Sequence, residues 1–213
     1  MDWSKPIDLY CERTDLAFWA EPVNAVSNAA FLIAAAVAFV QWRRAGAKDQ
    51  PVLALIGVTV LVGVGSFIFH TFATRGAVLF DVIPIAAFIY GYLFLALRRF
   101  LRLSLAASIL ILGAFAALSY GIAAIVPADA MNGSHAYLPA LAATLVVGGL
   151  CRREPAGRII LTAGSVLAVS LGFRTIDLAV CNAFPLGTHF LWHSFNGVVL
   201  FLLLRAAVME RRA

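Results

Sequence analysis

Three of the chain's four histidines, His70, His189 and His193, fall at the ends of long apolar stretches, where an imidazole has nothing to gain from packing. His189 and His193 are four residues apart, as are Ser66 and His70, so on helices each pair shares a face. Two imidazoles one turn apart can grip a metal ion, and a third from another helix completes a three-histidine set. A catalytic zinc takes three protein ligands, keeps its fourth position for water and lowers the pKa of that water. Asp81 is the candidate to accept the water's proton and pass it to a leaving amine, and Ser66 to donate a hydrogen bond to a developing oxyanion. Each residue also has a plainer reading. A lone histidine in a membrane helix can be an interhelical hydrogen-bond partner, Ser66 a packing residue and Asp81 a partner for Arg75. Their joint placement at one depth favours the metal site, because ionisable groups at membrane depth are costly. His135, before the fifth apolar stretch, reads as a surface residue.

The elements that must position these residues are membrane helices. The chain has 213 residues, of which 62% are hydrophobic and 13% charged, against about half and a quarter for a soluble domain. Seven stretches reach or approach the ~20 residues needed to cross a bilayer. They are Asn24–Trp42, Val52–Phe72, Ala77–Leu97, Leu103–Val126, Ala136–Leu150, Gly157–Phe173 and Leu186–Ala206. Prolines punctuate their starts, while Pro84 and Pro139 are expected inside spans, where membrane helices tolerate them. The fold expected is therefore an all-α, seven-helix integral membrane bundle formed by residues 1–213 as a single domain. The opening stretch, Met1 to Glu21, is polar and acidic, unlike a cleavable signal peptide.

Charge sets the expected orientation. One set of connections holds Arg43, Arg44 and Lys48; Arg98, Arg99 and Arg102; Arg152, Arg153 and Arg158; and Arg205, Arg211 and Arg212. The opposite set holds only Lys5, Arg13, Arg75 and Arg174. The positive-inside rule puts the first set in the cytoplasm, the N-terminus outside and the C-terminus inside. The net charge of +5 is thus a sign of topology and not of a nucleic-acid partner. In this arrangement Ser66, His70, Asp81, His189, His193 and Glu21 all reach the outer side. Arg174 and Asp177 fall between the sixth and seventh spans, where an ion pair ordering the loop is expected.

Ser66-x3-His70, Asp81 and His189-x3-His193 together resemble the pattern of the alkaline ceramidases. These belong to a wider superfamily of seven-helix membrane hydrolases (CREST) that includes adiponectin-receptor-like proteins. Tyr10-Cys11-Glu12, Ala20-Glu21-Pro22 and Asn24-Ala25-Val26-Ser27-Asn28 resemble the family's entry to its first helix, and the likeness runs from about Ile7 to Arg205. It implies an amidase that cleaves the N-acyl bond of ceramide, with zinc on His70, His189 and His193 and with Ser66 and Asp81 at the reacting centre. It also implies a calcium ion near the outer end of the first helix. Glu12 and Glu21 match that site. Asp8 matches loosely, because Leu9 stands where the family has an acid, and Thr14 replaces an asparagine beside Asp15. Asp8, Glu12, Asp15 and Glu21 are oxygen donors of the type calcium takes, and they equally suit a solvated acidic strip at a helix N-terminus. The family has a disulfide comparable to a Cys11–Cys181 pair. Both cysteines fall on the outer side, where either a bridge or two free thiols is open.

The expectation is a zinc-dependent membrane amidohydrolase acting on ceramide or a similar N-acyl lipid drawn from the bilayer. The compact chain and short loops read as bacterial, which places it in the inner membrane with its site on the extracytoplasmic side. A seven-helix receptor or sensor with structural zinc is the alternative. A transporter is disfavoured, since no paired broken helices or inverted repeat are evident.

Overall fold

A computed structural model describes residues 2–210. Arg211 and Arg212, counted above on the basic side, lie outside the described residues. The elements are α1 (Pro22–Ser27), α2 (Ala29–Arg44), α3 (Gln50–Phe72), α4 (Ala77–Arg99), α5 (Leu105–Ile125), a 3-10 segment (Ala130–Tyr137), α6 (Leu138–Leu150), α7 (Pro155–Val180) and α8 (His189–Met209). No strand occurs among the described residues. Among the described residues seven helical segments are long and apolar enough to cross a membrane, with α1 and α2 forming the first and the 3-10 segment joined to α6 forming the fifth.

The helices pack as membrane helices do, through small residues that let backbones approach. Gly65 is the sharpest case. A β-carbon there would lie 1.8 Å from the Phe80 carbonyl oxygen, so α3 and α4 touch backbone to backbone beside Ser66 and Asp81. Gly197 likewise brings α8 close to Ala30 on α2. Away from this end, a core of Trp42, Leu55, Phe88, Tyr92, Ile160 and Leu203 joins α2, α3, α4, α7 and α8. There Asp49 caps α3 and receives the Arg99 guanidinium at 2.7 and 3.0 Å, while Arg99 also reaches the Ala207 carbonyl on α8. Helix α5 is peripheral and buries only Ser108.

Two features differ from the sequence expectation, the end of α7 and the burial of His135. Helix α7 runs on to Val180, so Arg174 and Asp177 are helical and not in a loop. They do not pair. Asp177 is fully buried against the start of α8, and Arg174 turns towards the 3-10 segment. Pro139 lies inside the fifth span, as expected, in the first turn of α6, where its missing N–H leaves no hydrogen bond unmade. His135 is buried, not on the surface, with Nδ1 donating to the Ala130 carbonyl at 2.9 Å. That segment is irregular, with positive φ at Met131, Asn132 and Gly133.

The N-terminal segment lies over the end of the bundle that carries the histidines. Ile7 N–H donates to the Ala73 carbonyl at 2.7 Å, and Arg75 and Gly76 donate back to Lys5 and Trp3. Cys11 is joined to Cys181, with Cα atoms 5.4 Å apart, which ties the segment to the end of α7. Cys151 is the free cysteine. Unfolded without reductant, the protein should therefore show one reactive thiol per chain, and three after reduction. Three without reductant would contradict the bridge.

Candidate metal centre

The centre is built from α3 and α8. His70 lies in the last turn of α3 and His189 opens α8, with His193 one turn further on. All three are buried, and one ligating atom from each lies within 4.8 Å of the others. Their ring centroids are 4.5 to 5.1 Å apart. Three imidazoles turned on one point, remote from water, is an arrangement that packing alone does not favour.

The second nitrogens explain how the rings are aimed. His70 Nδ1 is 2.6 Å from Glu21 Oε2. A carboxylate accepts, so Nδ1 carries the proton and the Nε2 lone pair faces the other histidines. His193 Nδ1 lies 2.8 Å from Ser27 Oγ and 3.1 Å from the Asn24 carbonyl. The carbonyl can only accept, which fixes the same tautomer. The first span breaks at Asn28, whose N–H goes to Ala25, so the Asn24 carbonyl accepts from side chains instead: Ser27 Oγ at 2.8 Å, Asn28 Nδ2 at 2.9 Å and His193. His189 is held by stacking: the Tyr10 ring lies 3.6 Å from its own, tilted by 21°. His70 Nε2 and His189 Nδ1 are buried with no hydrogen-bond partner among the described residues. Orphaned ring nitrogens facing a cluster of imidazoles fit a nitrogen-liganded ion such as zinc.

Asp177, expected from the sequence in a loop ion pair, has another task. Its Oδ1 accepts from the N–H groups of Thr188 at 2.6 Å and His189 at 2.9 Å, capping the helix that carries two of the histidines. Its Oδ2 accepts from Cys11 N–H at 3.1 Å. Gly187, with φ of +62°, makes this possible, since a β-carbon there would lie 2.2 Å from Asp177 Oδ1. Arg174 donates to the Asn132 carbonyl and sits 5.5 Å from the Tyr137 ring and 5.7 Å from the Trp192 ring. It orders the 3-10 segment over the site.

Ser66, Asp81 and His193 share the wall of one cavity. Asp81 Oδ1 is buried without a hydrogen-bond partner among the described residues. From these polar residues the cavity continues between α4, α6, α7 and α8, past Ile89, Leu93, Ala143, Val147 and Leu200, to Ala96, Ile160 and Leu203. Its lining is mostly apolar, interrupted by Tyr92, Thr144 and Asn196.

The acidic residues of the N-terminal segment are not gathered as a calcium site requires. Glu12 accepts from the N–H groups of Val23 and Asn24 at 2.7 and 2.8 Å and so caps α1. Burial pushes its carboxyl above the ordinary value, and those two donors only partly offset it. Glu21 holds Arg13 at 2.5 Å as well as His70. Burial would raise its pKa, but hydrogen bonds from His70, Arg13 and Asn24 outweigh that and hold it below the ordinary value. Asp15 is exposed and accepts from Ala17 N–H, and Asp8 is exposed. The two buried carboxylates are thus engaged by donors of the chain itself, and among the described residues the four acids form no cluster of ligating side-chain atoms.

The model of the ceramidase family matches residues 9–210, nearly the whole chain. The chain belongs to the ceramidase family. A comparison with individual curated proteins gives no match. In this ceramidase-family chain the residues expected from the sequence, Ser66, His70, Asp81, His189 and His193, come to one end of the bundle. Tyr10, Asn24, Ser27 and Asp177, which hold them, are not expected in those roles from sequence.

We expect purified protein to carry one zinc per chain by elemental analysis, and His189→Ala to lose it. Glu21→Gln should retain the fold but weaken zinc binding by about 10–100-fold, because the carboxylate no longer orients His70. Unchanged affinity in Glu21→Gln would show that His70 is aimed by something else.

Proposed function

We propose that this ceramidase-family protein is a zinc-dependent membrane amidohydrolase that cleaves the N-acyl amide of ceramide or a similar lipid and releases a fatty acid. The observation that carries this reading is the placing of three convergent, buried imidazoles beside Ser66 and Asp81 at the polar end of a long apolar cavity. An acyl chain fits such a cavity and an ion path does not. The supporting residues engage Nδ1 of His70 and His193 and leave Nε2 of each for zinc beside His189, and the ion would supply Lewis acidity at the scissile carbonyl.

The chain's own residues divide the remaining work. The cavity takes the acyl chain and excludes water along its length. Asp81 receives a proton as water attacks the carbonyl carbon and returns it to the nitrogen as the C–N bond breaks. Ser66 donates a hydrogen bond to the carbonyl oxygen as charge develops there. The products are a carboxylic acid and an amine, so every atom of the water is used.

The proposed orientation puts the site on the extracytoplasmic side of a bacterial inner membrane. Its support is the crowding of arginine at the other end of the bundle, at Arg43, Arg44, Arg98, Arg99, Arg152 and Arg153.

The deciding experiment incubates purified protein with a panel of N-acyl lipids, ceramides among them, and measures fatty acid release with and without a zinc chelator. Release that the chelator abolishes is expected, and Asp81→Asn should lower kcat by about 10²–10⁴-fold while zinc stays bound. No release by folded, zinc-loaded protein from any lipid would favour a receptor with structural zinc. Ala143 lines the cavity and is half-buried. Ala143→Trp should therefore lower kcat/KM for long acyl chains more than for short ones. Equal losses for both would mean that the chain lies elsewhere.

A further inference from the structure

Arg13 is a buried arginine at the end of the bundle where arginine is scarce. Its guanidinium is surrounded by oxygens. Nε donates to Glu21 Oε1 at 2.5 Å and Nη2 to the His70 carbonyl at 3.0 Å. Nη1 faces the carbonyls of Asp15 at 3.1 Å and Ala17 at 3.5 Å. A carboxylate and three carbonyls around one positive charge is the ligand chemistry of a hard cation. Here the charge is part of the chain.

The geometry couples this cation to the metal centre through a single residue. Glu21 gives one oxygen to Arg13 and the other to His70 Nδ1. Glu21 is itself buried, and a buried carboxylate without a counter-charge is strongly destabilising. Arg13 supplies that charge and, through its bond to the His70 carbonyl, holds the backbone of the same residue whose ring Glu21 aims. A planar guanidinium suits this better than an ammonium, because its fixed fork reaches several acceptors at once. Few carboxylate oxygens are left for a divalent ion, since both Glu12 oxygens are engaged by backbone N–H groups. A calcium ion needs six to eight oxygens at about 2.3–2.6 Å, and would have to share them with an adjacent guanidinium.

We propose that Arg13 takes the place of a calcium ion: its guanidinium is the built-in cation that holds Glu21 on His70, so this chain assembles its metal centre without calcium. Arg13 is on this account a positioning residue, and the proposal rests on the zinc reading of the three histidines.

The test needs no lipid. Zinc-loaded, calcium-depleted full-length protein in detergent is titrated with calcium chloride to about 5 mM, above the range of weak calcium modules. Calorimetry, thermal unfolding and zinc affinity by chelator competition are recorded. The expected result is no saturable heat and no change in melting temperature or zinc affinity. Arg13→Met should bind zinc about 10–100-fold more weakly, with Arg13→Lys between it and the wild type. In a Glu21→Gln background Arg13→Met should add little further loss, because the two act through one contact. Saturable calcium binding that stabilises the wild type would overturn the proposal, as would wild-type zinc affinity in Arg13→Met. If Arg13→Met does not fold, the wild-type calcium titration still decides. Wild-type protein that binds no zinc would defeat the hydrolase reading, whereas a calcium response would count against the role of Arg13 alone.

Discussion

The carboxylate of Glu21 sits between a guanidinium and an imidazole inside the bundle, and the site end of the molecule is organised around satisfying it. A buried carboxylate demands a positive partner and hydrogen bonds for both oxygens. Arg13 provides the first, and with His70 and Asn24 the second. Arg13 in turn needs acceptors, and the carbonyls of Asp15, Ala17 and His70 provide them. The segment before the first helix must therefore fold into the bundle instead of trailing in solvent. One buried charge thus links the N-terminal segment, the first span and the α3 helix, and aims one of the three histidines.

Asp177 plays the corresponding part for the other two. It is a buried acceptor whose partners are all backbone N–H groups, from Cys11, Thr188 and His189. A carboxylate at a helix N-terminus is favoured by the helix dipole, and here the cap comes from a neighbouring helix. This fixes where α8 begins, and hence where His189 and His193 lie relative to His70. The break at Asn28 completes the arrangement by leaving the Asn24 carbonyl to side chains, His193 among them. The interactions that shape the centre are thus mostly contacts between elements far apart in sequence.

This long-range character separates the legible parts of the molecule from the hidden ones. The seven spans are legible in the sequence because apolar length is a local property, and the clustering of His70, His189 and His193 because histidines stand out against an apolar background. Arg13 reads only as one of a few basic residues on the poor side of the membrane, since burial is not written in composition. Asp177 reads as a loop residue because a polar run, Arg174 to Asp177, normally ends a membrane helix. Here α7 continues through it, as both side chains find partners inside the bundle. Gly187 carries no distinguishing mark, because its need for positive φ arises only from the closeness of Asp177. The acidic residues suggest calcium by their type and by the family resemblance. The structure gives each buried one a protein donor.

The central claim is that His70, His189 and His193 hold one zinc ion whose remaining position is open to water or substrate. X-ray absorption at the zinc edge of the purified wild-type protein tests it most directly. The account predicts three imidazole nitrogens and one further oxygen at about 2.0–2.1 Å, with the histidine contribution falling in His193→Ala. A shell containing sulfur, or a fourth protein nitrogen closing the site, would contradict it.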